Sequence, residues 1–308
     1  MTGGGVLPEW ILSTVAAATI FVVMFDLGLA IIPGDSRWVA KRPWLFSRAL
    51  FAALVAPPAI AWIVVRLFDL PRAVEIGIVL MAISPGAPVA LRRAIGAGGH
   101  RAFAPALQIA VATLAVITMP LGIAAFDEYY GGTATIEPRH IARQVLIAQL
   151  LPLALGMLVR RFAPAISARS ATGLNRLGGV LLGALVILAL VDFAPVVTRS
   201  GPWVALAIVI VTLLALAAGH WLGGPDPATR TATAIATAMR NPGLALLVAT
   251  LNDAPAQVNA TVLAYLVSSA LTVLAYISWR RRTAGSEPAA PAVLPSDAEQ
   301  VEVVSRPR

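Results

Sequence analysis

Cysteine is absent from the 308 residues of this chain, and charged side chains make up only 12% of it. The lack of cysteine excludes disulfides, thiol nucleophiles and cysteine-ligated metals, and it leaves the redox compartment open. The scarcity of charge, together with 58% hydrophobic residues and a mean hydropathy of +0.83, excludes an ordinary soluble domain. The composition therefore predicts a protein that crosses the lipid bilayer several times.

Acidic residues are also few, because 15 Asp and Glu stand against 23 Lys and Arg, and the net charge is +8. The basic residues cluster between apolar stretches and aromatics make up only 6%, so no nucleic-acid partner is expected. The histidines are scattered, and the chain has neither a zinc-protease HExxH motif nor a Walker-type glycine loop. We therefore expect no enzyme activity, no cofactor and no metal site.

Hydropathy and helix breakers predict an all-α membrane protein with about nine transmembrane helices. Residues 1–9 lack a basic signal-peptide region, so the first apolar stretch is predicted to be a retained span. Arginine-rich loops follow the first, third, fifth and ninth spans, and the loops between them are mixed or acidic. The positive-inside rule then places residues 1–9 outside the cell and the carboxyl terminus in the cytoplasm. Residues 283–308, rich in Pro, Ala, Ser and Glu, are predicted to form a disordered cytoplasmic tail.

Two of the predicted spans are interrupted by helix breakers. TATAIATAMRNPGLALL (Thr231–Leu247) contains an arginine followed by Asn-Pro-Gly, and ISPGAPVA (Ile83–Ala90) contains Ser-Pro-Gly and a second proline. Proline removes a backbone donor, and lipid supplies no water to replace it, so such breaks are costly in a membrane. Broken helices in corresponding halves of a chain point to the midplane binding site of a transporter. Tolerated kinks are the alternative.

Arg240 is the central candidate of this site, because a charge in mid-bilayer is expensive and is usually functional. It is expected either to bind a substrate or counter-ion, or to form a structural salt bridge. Asp26, the acidic residue within the first span, is the natural partner, with solvation at the end of that span as the alternative. The candidate substrate-binding residues lie on and beside the two breaks: Pro85, Gly86, Ala90, Gln108, Met239, Arg240, Asn241 and Gly243.

Three further features have two interpretations each. Gln108 is expected either to donate to a substrate carboxylate or to pack between helices. His220 is a candidate for proton coupling, with an interfacial residue as the alternative. Gly179 and Gly183 form a small-xxx-small pair, which predicts close packing within the bundle, with dimerisation as the alternative.

Three stretches resemble the bile acid:sodium symporter family: MFDLGLAIIPGDSRWVAKRP (Met24–Pro43), EIGIVLMAISPGAPVA (Glu75–Ala90) and AMRNPGLA (Ala238–Ala245). The resemblance implies two inverted five-helix repeats, arranged as a panel domain and a core domain in which two broken helices cross. The chain is similar to family members that lack the first helix, which agrees with about nine spans. On this basis the single transporter domain, residues 10–282, divides into panel helices in 10–46 and 139–200 and core helices in 47–126 and 201–282.

The chain departs from the family pattern where sodium binds. In the sodium-coupled members, Ser, Asn, Thr, Glu and Gln side chains supply oxygen ligands. The corresponding positions here are Ala53, Ala90, Leu91, Ala104, Gln108, Ala236 and Arg240. Hard cations need several oxygen ligands, so sodium as a cofactor is doubtful by this mechanism. Arginine stays protonated in proteins, and Arg240 is therefore expected either to replace the missing sodium electrostatically or to hold an anion directly.

These observations predict a secondary active transporter of a small organic anion that works by alternating access. Coupling to protons, coupling to sodium through backbone ligands, and no coupling all remain open. The alternatives are a channel-like or sensory membrane protein on the same fold, a sodium-dependent symporter of bile-acid-like solutes with non-standard ligands, and an arsenite effluxer. The expected partners are the small organic anion and the lipid bilayer of the inner or plasma membrane, and the oligomeric state is left open.

Overall fold

The computed structural model describes residues 9–30, 36–129, 137–199 and 201–284, and within these ranges every regular element is a helix. The elements in chain order are α1 (Glu9–Ala30), α2 (Ser36–Ala40), α3 (Pro43–Leu54), α4 (Ala56–Phe68), α5 (Arg72–Ile83), α6 (Pro88–Gly96), α7 (Phe103–Tyr129), α8 (Pro138–Val145), a π-helical turn (Leu146–Leu150), α9 (Leu151–Phe162), α10 (Pro164–Arg199), α11 (Pro202–Leu222), α12 (Pro227–Ala238), α13 (Pro242–Leu251) and α14 (Ala256–Ala284). The predicted all-α architecture is confirmed.

Seven helical segments in the described ranges are long and apolar enough to cross a membrane, and the bent pair α5 and α6 raises the number to as many as eight. The apolar part of α1, Thr14–Ala30, is shorter than such a segment. The count of about nine spans is therefore not confirmed, although the multi-pass membrane architecture is. The predicted outer segment before Glu9 and the predicted tail beyond Ala284 lie outside the described residues.

Both predicted breaks are present. α5 ends at Ile83 and α6 begins at Pro88, with an angle of 64° between them. α12 ends at Ala238 and α13 begins at Pro242. Each restarting helix has a proline in its first turn, where the missing N–H costs nothing because that group has no partner within the helix. The sequence breakers thus act as stop and restart signals.

The segment α12–α13 lies at the centre of the molecule. In its most apolar stretch 78% of the residues are buried, compared with 11% in the corresponding stretch of α10. α12 packs against α3, α6, α7 and α11, whereas α13 packs against α1, α5 and α14. The second break is therefore enclosed by helices from both halves of the chain.

The π-helical turn interrupts the segment that contains α8 and α9. The N–H of Leu151 donates to the carbonyl of Leu146, five residues earlier, and the next residue, Pro152, has no N–H to give. A π-turn relieves a proline within a helix by shifting the hydrogen-bond register, and such turns are frequent at functional sites. Pro152 thus has a local structural effect that redirects the side chains just before it.

Close helix packing depends on a different glycine pair from the predicted one. A Cβ atom at Gly28 of α1 would lie 2.9 Å from the Cα of Gly156 in α9, and it would collide with the carbonyl of Leu153. A Cβ atom at Gly179 or Gly183 would meet nothing within 4 Å. The prediction that Gly179 and Gly183 allow close packing within the bundle is therefore wrong for the described part of the chain, and Gly28 with Gly156 has that role.

Gly28→Val is expected to lower the free energy of unfolding by about 1–3 kcal/mol, because overpacking forces backbones apart at a close helix crossing. Gly183→Val is the matched control, since its added side chain enters open space. Thermal unfolding of both variants in detergent, followed by circular dichroism, measures the difference. Equal melting temperatures for the two variants would contradict the assignment of the close contact to α1 and α9.

Candidate functional site

The two breaks contact each other through the backbone. The N–H of Asn241, in the second break, donates to the carbonyl of Ser84, in the first, at 3.0 Å. Both residues are buried, and the Ser84 hydroxyl donates back to the carbonyl of Leu80 at 2.7 Å. Residues 157 positions apart cannot meet by local folding, so this bond marks the crossing of the two broken helices.

The helices that end near this crossing leave carbonyl groups without their usual partners. The partner of the Ala53 carbonyl would be the N–H of residue 57, which is proline. The Met81 carbonyl loses the N–H of residue 85, also proline, and accepts from the N–H of Ser84 instead. The partner of the Thr237 carbonyl would be Asn241, whose N–H is already bonded to Ser84. Bare carbonyls in an apolar interior cost about 1–3 kcal/mol each, so this point requires a donor.

Arg240 supplies those donors. Its Nη1 donates to the carbonyls of Ala53 at 2.9 Å and Thr237 at 3.3 Å. Its Nη2 donates to Ala82 at 2.6 Å, and its Nε approaches Met81 at 3.4 Å. Only 4% of the residue is exposed.

The four acceptors belong to the last turns of α3, α5 and α12. The carboxyl end of a helix carries a partial negative charge, so three such ends that converge form a site for a cation. A guanidinium group has five N–H donors. Arg240 makes four hydrogen bonds with them, all to backbone carbonyls. In this geometry Arg240 is a built-in cation at the crossing, and its donors are directed to the backbone.

Asp26 is not the partner of Arg240, and that predicted pair is corrected here. Asp26 lies in α1, is buried, and forms an ion pair with Nη2 of Arg92 in α6. The guanidinium of Arg240 is neutralised by carbonyl dipoles instead. Sequence reasoning paired the two charges because both lie within apolar spans, but it could not tell which of several arginines the fold brings to α1.

Gln108 belongs to the first break. Its Nε2 donates to the carbonyl of Ala87 at 3.2 Å, and the side chain is buried against the loop between α5 and α6. Gly86 in the same loop has φ of +79°, a conformation that favours glycine, and its α-carbon faces the amide of Gln108. The interhelical-packing interpretation of Gln108 therefore describes its contact in this structure.

Asn241 connects the second break to a residue that sequence reasoning missed. Its Oδ1 accepts from the N–H of Leu244 at 3.1 Å and caps α13, and its Nδ2 approaches Oε1 of Gln149 at 3.4 Å. Gln149 is fully buried in the π-helical turn, and its Nε2 donates to the carbonyl of Ala112 in α7 at 2.9 Å. A buried amide in an apolar span, three residues before a proline, was the available signal.

The remaining predicted substrate residues lie around the crossing in supporting positions. Pro85 and Ala90 are buried beside the first break, and Met239 is partly buried next to Arg240. A Cβ atom at Gly243 would lie 3.0 Å from a side-chain carbon of Ile20, so this glycine lets α13 approach α1. The structure thus gathers all the predicted break residues in one region.

His220 belongs to a separate cluster. It lies in the last turn of α11, forms a hydrogen bond of 2.8 Å with the hydroxyl of Tyr276, and packs against Trp279 of α14. Tyr276 and Trp279 are the aromatic residues typical of a membrane interface. The structure does not bring His220 to the crossing.

A cavity of about 260 Å³, apolar in most of its lining, lies between α1, α6 and α10. Its polar lining consists of Asp26, Arg92, Arg93 and Asn175. The side chain of Arg92 is 41% exposed, in contrast to the enclosed Arg240. Within the described ranges, no group of three His, Asp or Glu residues is arranged to hold a metal ion.

Gln149→Leu is expected to lower the free energy of unfolding by about 1–3 kcal/mol, because it removes a buried donor to α7 and leaves the side-chain amide of Asn241 without its Gln149 partner. Gln144→Leu is the matched control: Gln144 lies in α8 and accepts a hydrogen bond from Asn252 at a part-buried position, where water can replace it. Thermal unfolding in detergent compares the two. A loss in Gln144→Leu as large as in Gln149→Leu would contradict a central role for Gln149.

Comparison with known proteins agrees with this geometry. The Sodium Bile acid symporter family matches residues 17–220. A protein of Bacillus subtilis (strain 168), named an uncharacterized sodium-dependent transporter, YocS, is 25% identical over 255 residues, which cover 80% of this chain and 76% of the relative. The family match covers well over half of the sequence and contains the first break, and the predicted family is thereby confirmed. This chain belongs to the sodium bile acid symporter family.

Proposed function

We propose that this protein is a secondary active transporter of a small organic anion in the plasma membrane, in which Arg240 replaces a bound sodium ion. The observation that carries the proposal is the guanidinium of Arg240, bonded to carbonyls of Ala53, Met81, Ala82 and Thr237 where three helices end. Carbonyl oxygens are ligands that a hard cation would use. A covalently attached cation makes a diffusible one unnecessary at this point.

The loss of side-chain ligands supports the same conclusion. By the family resemblance, five of the seven sodium-ligand positions carry Ala53, Ala90, Leu91, Ala104 and Ala236, none of which offers a side-chain oxygen; Gln108 keeps an amide oxygen and Arg240 brings a cation. Ala53 contributes only its carbonyl, and that carbonyl already accepts from Arg240. Sodium would have to compete with a tethered cation for a reduced set of oxygens.

The domain arrangement proposed for transport also has support. α1 packs mainly against α9 and α10, which groups the segments assigned to the panel, and α11 packs against α12 and α4, which groups segments assigned to the core. Movement of the core against the panel would expose the crossing alternately to the two sides of the membrane. The arginines near the ends of α6, α9 and α14 support a cytoplasmic carboxyl terminus and an amino terminus outside.

A second candidate, sodium-dependent symport, is favoured by one observation. The Bacillus relative is named a sodium-dependent transporter, and it is similar over 80% of this chain. Under this alternative, sodium would bind through oxygens other than those held by Arg240. The two candidates differ in a measurable way, because only one of them requires a sodium gradient.

Uptake into liposomes that contain the purified protein is expected to be independent of a sodium gradient and to fall roughly tenfold or more in Arg240→Gln, since the substitution leaves buried carbonyls unbonded. The substrates are radiolabelled pyruvate, 3-methyl-2-oxobutanoate, 2-hydroxyethanesulfonate and taurocholate. Arg280→Gln is the matched control: Arg280 is also buried and donates to Thr231 and to the carbonyl of Pro227, but it lies away from the crossing. Sodium-driven uptake that survives Arg240→Gln would refute the proposal.

The melting temperature of the wild type is expected to be the same in sodium chloride and in choline chloride, because a ligand stabilises a protein only if it binds the folded state. Differential scanning fluorimetry in detergent measures this at equal ionic strength. A rise in melting temperature that depends on sodium concentration would favour the second candidate. This readout needs no knowledge of the substrate.

A further inference from the structure

The cavity between α1, α6 and α10 has an unbalanced charge. Arg92 and Arg93 of α6 contribute two positive charges to its lining, and Asp26 of α1 contributes one negative charge. The α10 side of the lining adds the neutral amide of Asn175. One positive charge in the cavity therefore lacks a counter-charge from the lining, which favours a ligand with a single negative charge.

The Asp26 carboxylate already binds one of the two arginines, Arg92. It forms an ion pair with Nη2 of Arg92, although it belongs to a different helix and is 66 positions away in sequence. Asp26 is 6% exposed, whereas the side chain of Arg92 is 41% exposed, so the arginine is open to the cavity from the side that the carboxylate does not cover. An arginine binds carboxylates through paired N–H donors. The carboxylate of a ligand would therefore compete with Asp26 for the N–H donors of Arg92.

From this arrangement we infer that Asp26 is an internal competitor of the substrate: it holds Arg92 in the present state, and the acid group of a small organic monoanion replaces it on Arg92 when substrate binds. The inference rests on the proposed function, which it deepens by naming the site and the class of substrate. Arg240 has its donors directed to the backbone, so a separate arginine must recognise the anion.

The size of the cavity limits the substrate. Its volume of about 260 Å³ exceeds that of an engineered protein cavity of about 150 Å³ that binds benzene. Val23, Leu27 and Leu182 give the rest of the lining an apolar character, which suits a short alkyl group attached to the acid. A carboxylate or sulfonate of a few carbons fits within this space, and a steroid-sized anion would extend beyond it.

The position of the ion pair links binding to movement. α1 belongs to the segments assigned to the panel and α6 to those assigned to the core, so the bond between Asp26 and Arg92 joins the two proposed moving parts. A substrate that takes over Arg92 releases this bond. Occupation of the cavity would thereby free the core to move only when an anion is bound.

The absence of cysteine from the chain makes the site testable by labelling a single introduced thiol. Gly179 lines the cavity, is exposed, and has open space where a side chain would be added. Gly173 is also exposed with open space, lies on the same helix, and is outside the cavity lining. Gly179→Cys is the reporter and Gly173→Cys is the control, both reacted with N-ethylmaleimide in detergent.

We expect pyruvate and 3-methyl-2-oxobutanoate to slow the labelling of Gly179→Cys but not of Gly173→Cys, and taurocholate to protect neither. Adding Asp26→Asn should reduce the half-protecting concentration at least about fivefold, because an exposed ion pair is worth up to ~1 kcal/mol and the burial of Asp26 makes this pair stronger. Asp26→Glu, which keeps a competing carboxylate, should retain the wild-type value and so controls for folding. Arg92→Gln should abolish protection.

Two outcomes would overturn the inference. Protection that is equally strong with and without Asp26→Asn would show that Asp26 does not compete. An absence of protection by all the small acids, in a protein that takes them up into liposomes, would place the substrate outside this cavity while leaving the proposed function intact. The proposed function is tested separately by the liposome uptake experiment. It fails if the wild type takes up none of the acids, or if its uptake is driven by sodium and survives Arg240→Gln.

Discussion

Carbonyl groups that have no helical partner in the middle of a membrane protein constrain the rest of this structure. α3, α5 and α12 all end near the crossing, and prolines at positions 57 and 85 remove two of the N–H groups that would have continued the hydrogen-bond ladders. Lipid offers no water as a substitute. The side chain of Arg240 bonds to all three helix ends at once, and it thereby fixes where they meet.

A second set of hydrogen bonds, from amide side chains, holds the crossing in its surroundings. Gln108 donates to the first break, and Asn241 caps the helix that follows the second. Gln149 then connects Asn241 to the carbonyl of Ala112 in α7. Neutral amides can form several bonds without the desolvation cost of a charge, which suits positions that are fully buried. The crossing is therefore joined to its neighbours by buried side-chain hydrogen bonds in addition to its backbone contact.

Arg240 and Arg92 differ in exposure, and this difference is the reason for proposing a structural role for the first and substrate recognition for the second. Arg240 is 4% exposed and is bonded to backbone carbonyls on several sides, whereas the side chain of Arg92 is 41% exposed and is paired with a single carboxylate. A buried cation in a fixed cage is costly to remove and slow to exchange. An arginine that is open to a cavity can accept a second acid group, which is the premise of the proposed exchange of Asp26 for a substrate on Arg92. These roles are the basis of the proposed transport mechanism.

The sequence by itself determined the membrane class, the helical fold, the two breaks and the family, because each depends on composition or on the local chemistry of proline, glycine and apolar runs. It also identified Arg240, since a charge within an apolar span stands out in one dimension. Only the tertiary structure decided the partners: Asp26 pairs with Arg92, Gln149 joins the crossing, and Gly28 with Gly156 forms the close helix contact. Partners across 66 to 187 positions depend on how helices pack, and hydropathy does not encode which faces of two apolar helices meet.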